Sequence, residues 1–399
     1  MPYLPRRLSG VLADLRARFP AVLVTGPRQS GKTTFLRHEA PDCGYVTFDD
    51  PLNRQFAARD PHGFLDQFGT SPVVLDEVQY VPDLFPYLKM RIDADRSVHG
   101  RYLLTGSRQF AMMRHVGESL AGRLALLDLL PFSWPETGGG AGRNVADVLW
   151  RGGYPSVHLD PSARDAWMRG YVQTYLERDV RNLQNIRDLR LFETFLGLVA
   201  ARHAQTANRA EVARACGVSQ PAMKDWENVL TASYILLPLP PYHRNFGKRL
   251  VKTPKLYFLD SGLAAWLTRQ PSAEALWHGP MGGAFFEGWV VSEAVKAFAA
   301  RGRRPDVFFW RSSDGIEVDL LVEAGGRLHA VEIKQTATPT TGHADVLTRW
   351  ERAAGRAPEG DRLLVCTCRR ETALPNGVRA VPWHTFPAWM DRILKGTKP

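Results

Sequence analysis

The chain has 399 residues, 44% of them hydrophobic and 23% charged, with a formal net charge of +10. That length exceeds one ordinary core and predicts two or three domains, while the composition excludes fibrous and disordered classes in favour of a soluble globular one. No run of about 18 apolar residues occurs, so no membrane span is expected. MPYLPRRLSGVLADL lacks an apolar core before a small-residue cleavage site, so no secretory signal is expected either.

Four scattered cysteines (Cys43, Cys216, Cys366, Cys368) offer no second pair at zinc-site spacing, and LLVCTCRR suits a strand. They read as reduced thiols of a cytoplasmic protein. His62, His99, His203 and His343 have no partner at metal-ligand spacing and read as surface or packing residues. The positive charge points only weakly to nucleic acid, because a solvated basic face has the same composition.

In the first third, AVLVTG, YVTFDD, PVVLDE and RYLLTGS read as short buried strands, separated by helical spacing such as LFPYLKMRIDADR. That alternation predicts a parallel α/β sheet. ALLDLLPFSWPE and the glycine loop TGGGAGR follow, placing a domain edge near residue 150.

Between the first strand and a helix-compatible TTFLRHEA stands G-x-x-x-x-G-K-T: Gly26, Pro27, Arg28, Gln29, Ser30, Gly31, Lys32 and Thr33, with Thr34 next. Glycines let backbone amides turn inward around phosphate oxygens, and the helix start adds its dipole. Lys32 is expected to reach the β/γ-phosphates of ATP and Thr33 to ligate Mg²⁺. PVVLDEVQ puts Asp76 and Glu77 at a strand end on the same sheet edge. Asp76 is assigned to Mg²⁺ through water, and Glu77 to the attacking water. In RYLLTGSRQF, Thr105 or Ser107 could touch the γ-phosphate or the water; Ser107 is preferred. In SLAGRLALL, Arg123 is a candidate to neutralise γ-phosphate charge, in cis or from a neighbouring subunit.

From about 160 to 270 the patterns are mostly helical: DAWMRGYVQTYLERDVRNL, then LFETFLGLVAARH. TANRAEVARACGVSQPAMKDWENVL has helix-turn-helix logic, with AEVARAC, a Gly217-Val218 turn and a second helix capped by Ser219. The following LPLPPYHRNFGKRLVKTPKLYFL carries Arg244, Lys248, Arg249, Lys252 and Lys255 with no acid among them, a candidate phosphate-contacting hairpin for DNA. Met223, Asp225 and Glu227 make the second helix less basic than a DNA reader usually is, so a protein-facing module stands at even weight.

The last section opens with a helical FFEGWVVSEAVKAFAARG and continues with strand-like DVFFWRS, IEVDLLVEA, RLHAVEIKQ and RLLVCTC. Glu332 and Lys334 are two apart and share a strand face; Asp319, thirteen residues before Glu332, can converge with them. Two carboxylates, Asp319 and Glu332, would bind Mg²⁺, with Lys334 stabilising charge on phosphate. Glu287 is the helix carboxylate, with Glu293 as competitor. The set resembles the PD-(D/E)xK nuclease fold, with Val318 where that pattern has proline.

GPRQSGKTT, VVLDEVQ, LLTGSR, SLAGR, YLERDVRNL, PPYHRNFGKRLVKTPKLYFLDSGLAAWL and FFEGWVV together resemble the AAA-type P-loop ATPases of bacteria and archaea that carry a C-terminal domain of formerly unknown function. The resemblance covers nearly the whole chain. It implies an ATPase domain (residues 1–150), a helical and winged-helix domain (151–272) and an α/β restriction-endonuclease-like domain (273–399), with a homo-oligomeric ring. The function expected is ATP hydrolysis coupled to work on nucleic acid. The alternative is a nucleotide-operated switch or scaffold with protein partners and no cleavage. A small-molecule kinase is less attractive, since no acceptor lid follows the phosphate loop.

Overall fold

The computed structural model describes residues 3–106, 117, 119–140, 142–176, 189–206, 208–243, 253–354 and 360–395. The chain divides into two compact units. One is Met1–Phe132 with Ala232–Tyr234 and Ala299–Arg303, and the other holds the rest. Among the described residues, no helix is long and apolar enough to cross a membrane.

The first unit is an α/β layer structure. Its elements run α1 (Ser9–Arg18), β1 (Ala21–Thr25), α2 (Lys32–Glu39), β2 (Gly44–Thr47), α3 (Pro51–Arg59), α4 (Pro61–Asp66), β3 (Val73–Asp76), α5 (Phe85–Ala94), β4 (Tyr102–Thr105) and β5 (Leu124–Asp128). All strand pairs are parallel, in the order β2-β3-β4-β1-β5. Side chains alternate across the sheet. Ala21 and Leu23 join Phe48, Phe64, Phe85 and Leu88 on one face, whereas Val22 and Val24 join Leu12, Phe35 and Leu36 on the other. Both faces are buried, which is why the central strands read as unbroken apolar runs. β5 was not among the expected strands: it is an edge, and Leu126 is exposed.

The N-terminal stretch of the first unit runs to Phe132, and Trp134 packs in the second unit against Trp289 and Trp383, with ring centroids 6.2 and 4.8 Å away.

The second unit contains α6 (Val145–Arg151), α7 (Pro155–Leu159), α8 (Arg164–Gly170), α9 (Leu189–Ala201), β6 (Gln205–Thr206), α10 (Arg209–Cys216), α11 (Gln220–Ala232), β7 (Leu236–Leu239), β8 (Lys255–Phe258), α12 (Ser261–Leu267), α13 (Ala273–His278) and α14 (Gly282–Ala299). It continues with β9 (Val307–Arg311), β10 (Glu317–Ala324), β11 (Arg327–Ile333), α15 (Thr341–Ala354), β12 (Arg362–Cys366), β13 (Thr372–Ala373), β14 (Arg379–Pro382) and α16 (Phe386–Leu394). Gly217 closes α10 in the left-handed conformation (φ 66°), and the Ser219 hydroxyl accepts from the Ala222 N–H at the start of α11. β6, β8 and β7 form a small antiparallel sheet. The larger sheet, β13-β14-β12-β11-β10-β9, is mixed: β9, β10 and β11 pair antiparallel, while β11, β12 and β14 pair parallel. The middle and C-terminal sections thus share one compact unit.

The LYFLDSG segment explains itself locally. Asp260 caps α12, accepting from the Leu263 N–H at 2.9 Å, and accepts from the Gly153 N–H at 2.7 Å. A Cβ on Gly152 would lie 2.2 Å from that carboxylate, and one on Gly262 would lie 2.3 Å from the Arg151 carbonyl. Both glycines are dictated by close approach.

His203 is buried, stacked on Phe285, and its Nδ1 accepts from the Phe258 N–H at 3.1 Å. Burial pushes its imidazole down to about 3. Between pH 6.5 and 3 the unfolded chain therefore binds the proton and the folded chain does not. His203 should contribute full stability above 6.5 and lose it as pH falls, at about 1 kcal/mol per pH unit. Denaturant melts of parent and His203→Asn across that range check this: the difference between them should shrink steadily on acidification. Separately, a Cβ at Gly288 would stand 1.9 Å from His203 Nε2. Gly288→Ala should cost about 1–3 kcal/mol in the same melts, overpacking outweighing the usual helix gain of alanine.

Candidate functional site

The loop from Gly26 to Gly31 leaves the C-terminal end of β1 and feeds α2. Gly31 occupies the N-cap with φ 90°, a conformation that suits glycine. Gly26 has φ 143°, and a Cβ there would lie 2.2 Å from the Leu129 carbonyl oxygen. Gln29 adopts φ 62° without being glycine, so this loop carries backbone strain, as binding sites often do.

Lys32 is buried, and its ammonium donates to the carbonyls of Gly26 and Pro27 at 3.3 and 3.0 Å. Desolvation lowers it to about 8, although Glu77 and Asp76 pull the other way. Ser30 Oγ is buried with no hydrogen-bond partner. A buried cation bonded to neutral carbonyls, beside an unsatisfied hydroxyl and an open helix N-terminus, fits a polyphosphate.

Asp76, at the end of β3, is the meeting point of three hydroxyls. Thr33 Oγ1 donates to its oxygens at 3.1 and 2.9 Å, Tyr45 at 2.7 Å, and Thr105 also donates to it. Burial and this bond push the Tyr45 phenol up. Thr33 and Asp76, in direct contact, offer oxygen ligands that could hold a divalent cation. Glu77 sits beside them with φ 59°; its N–H donates to Thr105 Oγ1 at 3.3 Å, and its carboxylate accepts from Gln79.

Of the two hydroxyls in RYLLTGS, the preferred Ser107 lies outside the described residues. Thr105 is buried at the end of β4, and β4 lies between β1 and β3, so its hydroxyl stands where loop and carboxylates meet. Strand order, which no local pattern reveals, decides this. Arg123 forms a two-point pair with Asp93 at 2.8 and 2.9 Å, holding that carboxyl at about 2. The described contacts of Arg123 include none to the phosphate loop.

Arg6 was not anticipated. Its guanidinium donates to the carbonyls of Ser30 (3.0 Å) and Leu130 (2.6 Å) and lies 4.8 Å from the Phe132 ring, tying the phosphate loop to the segment after β5. Thr25 and Tyr234 both bond the Asp128 carboxylate, joining the ends of β1 and β5.

The second unit gathers a separate carboxylate centre. Glu287 comes from α14, Glu317 and Asp319 from β10, and Glu332 and Lys334 from β11 and its end. The β9–β10 register shifts between Val318 and Leu321, a bulge that spans Asp319. Asp319 Oδ2 accepts from the Ile333 N–H at 2.9 Å, and Lys334 Nζ lies 2.5 Å from Glu332 and 3.9 Å from Asp319. Burial raises Asp319. Burial, then the Asp319 charge, pushes Glu332 up to about 8 and Glu287 to about 7. Glu332 Oε2 is buried with no hydrogen-bond partner. Glu293, the competitor, is elsewhere: it pairs with Lys296 and accepts from the Trp134 N–H.

Of the basic hairpin, Arg244, Lys248, Arg249 and Lys252 lie outside the described residues. Lys255 is not a surface phosphate contact: it is buried, with Nζ 3.0 Å from Glu287 and 2.5 Å from Glu317. Tyr257, two residues on and hence on the same strand face, donates to Glu287 at 2.5 Å. The spacing of 255 and 257 was the available signal; their destination was not.

A parallel sheet ending in this loop, with Lys32, Thr33 and Asp76 converging, defines a P-loop ATPase domain of the AAA type. Residues 18–138 match a family model described as an AAA domain, residues 142–274 a domain of unknown function (DUF8612), and residues 282–386 a domain of unknown function (DUF4143). The chain is 36% identical over 330 residues to the uncharacterized proteins Mb2031c of Mycobacterium bovis and Rv2008c of Mycobacterium tuberculosis, covering 81% of this chain and 72% of each of those. It belongs to the same family as these two proteins. Among solved structures, the Walker-type ATPase PABY2304 of Pyrococcus abyssi aligns at 14% identity and TM-score 0.44, over 66% of this chain and 96% of that one. A point variant of RuvB from Thermotoga maritima aligns at 13% identity and TM-score 0.29, over 59% and 88%. At these TM-scores neither likeness carries an argument.

Lys32→Ala should abolish ATP binding in a fluorescent-nucleotide titration. Glu77→Gln should keep binding within a few-fold and lose about 10²–10⁴ in hydrolysis rate. Equal loss of binding in both variants would contradict these roles.

Proposed function

We propose that this chain hydrolyses ATP and couples the nucleotide state to nucleic acid. The observation that carries the first half is the convergence of Lys32, Thr33, Asp76 and Thr105 around a loop whose buried ammonium is bonded to backbone carbonyls. Lys32 and the loop amides bind the β- and γ-phosphates of ATP, with Pro27, Arg28, Gln29, Ser30 and Thr34 completing the loop. Mg²⁺, when bound, neutralises phosphate charge, and Thr33 and Asp76 hold it. Glu77, its carboxylate fixed by Gln79, accepts the proton of the attacking water, and Thr105 keeps Glu77 and Asp76 in register. Arg123 remains a candidate for trans action in a homo-oligomer.

The nucleic-acid half is supported by the second unit. α10, the Gly217 turn and α11, followed by the β7–β8 hairpin, have the order of a winged helix. Arg244, Lys248, Arg249 and Lys252 bring positive charge to its connecting segment. The bent β10 and the Glu-x-Lys of β11 support a PD-(D/E)xK-like reading of the C-terminal sheet. A divalent cation does not fit its centre as arranged. Two ammonium groups already lie against the carboxylates, and among the described residues no group of three or more His, Cys, Asp or Glu is placed to hold a metal. No cleavage step is therefore assigned to Asp319, Glu332 and Lys334, and the same observation favours the second reading, a nucleotide-operated switch without nuclease activity.

ATPase assays with and without double-stranded DNA, over a range of protein concentrations, test the proposal. DNA should raise turnover several-fold, and binding should weaken by about 10³ or more between 50 and 200 mM salt if six or more phosphates are contacted. Turnover and binding both indifferent to DNA would leave the switch reading.

A further inference from the structure

Four carboxylates from two strands and a helix meet in a largely buried place: Glu287, Glu317, Asp319 and Glu332. Carboxylates so placed repel one another and lose hydration, so the fold must supply protons, a metal cation or side-chain cations. Lys334 is one such cation, but its side chain is 42% exposed, a partly solvated position at the mouth. Lys255 is different. Its side chain is 5% exposed, and its ammonium bridges Glu287 and Glu317 and lies 5.8 Å from the centre of the Phe309 ring. It arrives on β8, a strand of the small sheet and not of the sheet that carries Asp319 and Glu332. Tyr257 on the same face fastens to Glu287, so the strand is seated at two points. Burial draws the Lys255 ammonium toward neutrality, but Glu287, Asp319 and Glu317 outweigh it and keep it charged. One acceptor is left over: Glu332 Oε2, on a residue 3% exposed, is buried with no hydrogen-bond partner.

We infer that Lys255 is the resident cation of this centre: its ammonium stands in the place of a divalent metal ion and closes the carboxylates to metal while β8 is seated. This rests on the nuclease-like reading of the sheet and adds a residue that governs it. An ammonium carries one charge and no open coordination position, so it satisfies the carboxylates without activating water. With the ammonium removed, Glu287 and Glu317 lose their shared counter-charge, and a local rearrangement of the carboxylates with the spare Glu332 oxygen offers oxygen ligands to a hard divalent cation.

The test uses nucleotide-free full-length protein carrying Asp76→Asn, so that the phosphate-loop site does not contribute, and Mn²⁺ followed by electron paramagnetic resonance. The parent should bind no Mn²⁺ at this centre. Lys255→Met should bind one ion per chain, at least tenfold more tightly than the parent, and Asp319→Asn added to it should remove that ion. Lys255→Arg, which keeps a cation, should stay closed. Asp319-dependent Mn²⁺ binding by the parent overturns the inference, as does a folded Lys255→Met that binds none. If Lys255→Met does not fold, acetylation of the parent read by mass spectrometry decides. Lys255 should label at least tenfold more slowly than the exposed Lys224, with and without Mn²⁺, and equal labelling overturns the inference. The two readings fail separately. Lys255→Met that gains Mn²⁺ but cuts no DNA upholds the plug and sinks the nuclease reading; a parent that cuts DNA with Asp319-dependent Mn²⁺ does the reverse.

Discussion

A buried ammonium whose hydrogen bonds go to backbone carbonyls is an unfinished arrangement, and the first unit is organised around it. Lys32 sits at the start of α2, where helix dipole and free amides favour an anion, while desolvation works against its own charge. The favourable completion is a polyphosphate. The glycine at position 26 follows from the same constraint, because the segment after β5 approaches so closely that a side chain there would collide with the Leu129 carbonyl. Arg6, itself buried, holds that segment and the loop together.

The second unit meets a related difficulty with the opposite sign. There the buried excess is negative, and the chain answers it with lysines. Lys334 comes from the strand that also supplies Glu332, so its pairing is local. Lys255 comes from a hairpin more than sixty residues before Asp319 in sequence. Glu332 is thus matched by a neighbour in the pattern, and Glu287 and Glu317 by a partner that only the path of the chain brings near. The matching also accounts for the KLYFLDSG segment: alternate residues Lys255 and Tyr257 face the carboxylates, and Asp260 turns to cap α12 and hold the Gly153 backbone.

Much of this was legible in the sequence where chemistry follows from spacing. The glycine-lysine-threonine run names its own loop, and Asp76-Glu77 after an apolar run names a strand end. Glu332 and Lys334 at a separation of two must share a face. Other features resisted. In RYLLTGS the local pattern favours Ser107 over Thr105, and Lys255 looks like one more base in a basic stretch. β5 escaped notice because LALLD is as apolar as its neighbours but carries no β-branched residue, and its leucines and alanine suit a helix equally.

The sequence by itself determined the phosphate loop, the strand-helix alternation of the first unit and the paired Glu-x-Lys, because each is a local periodicity or a conformational demand on a few consecutive residues. Tertiary structure alone decided that β4 passes between β1 and β3, bringing Thr105 to Asp76, and that β8 carries Lys255 in among Glu287 and Glu317. Those contacts join residues far apart along the chain. They depend on strand order and on which buried charge each segment can neutralise, and no window of sequence contains that information.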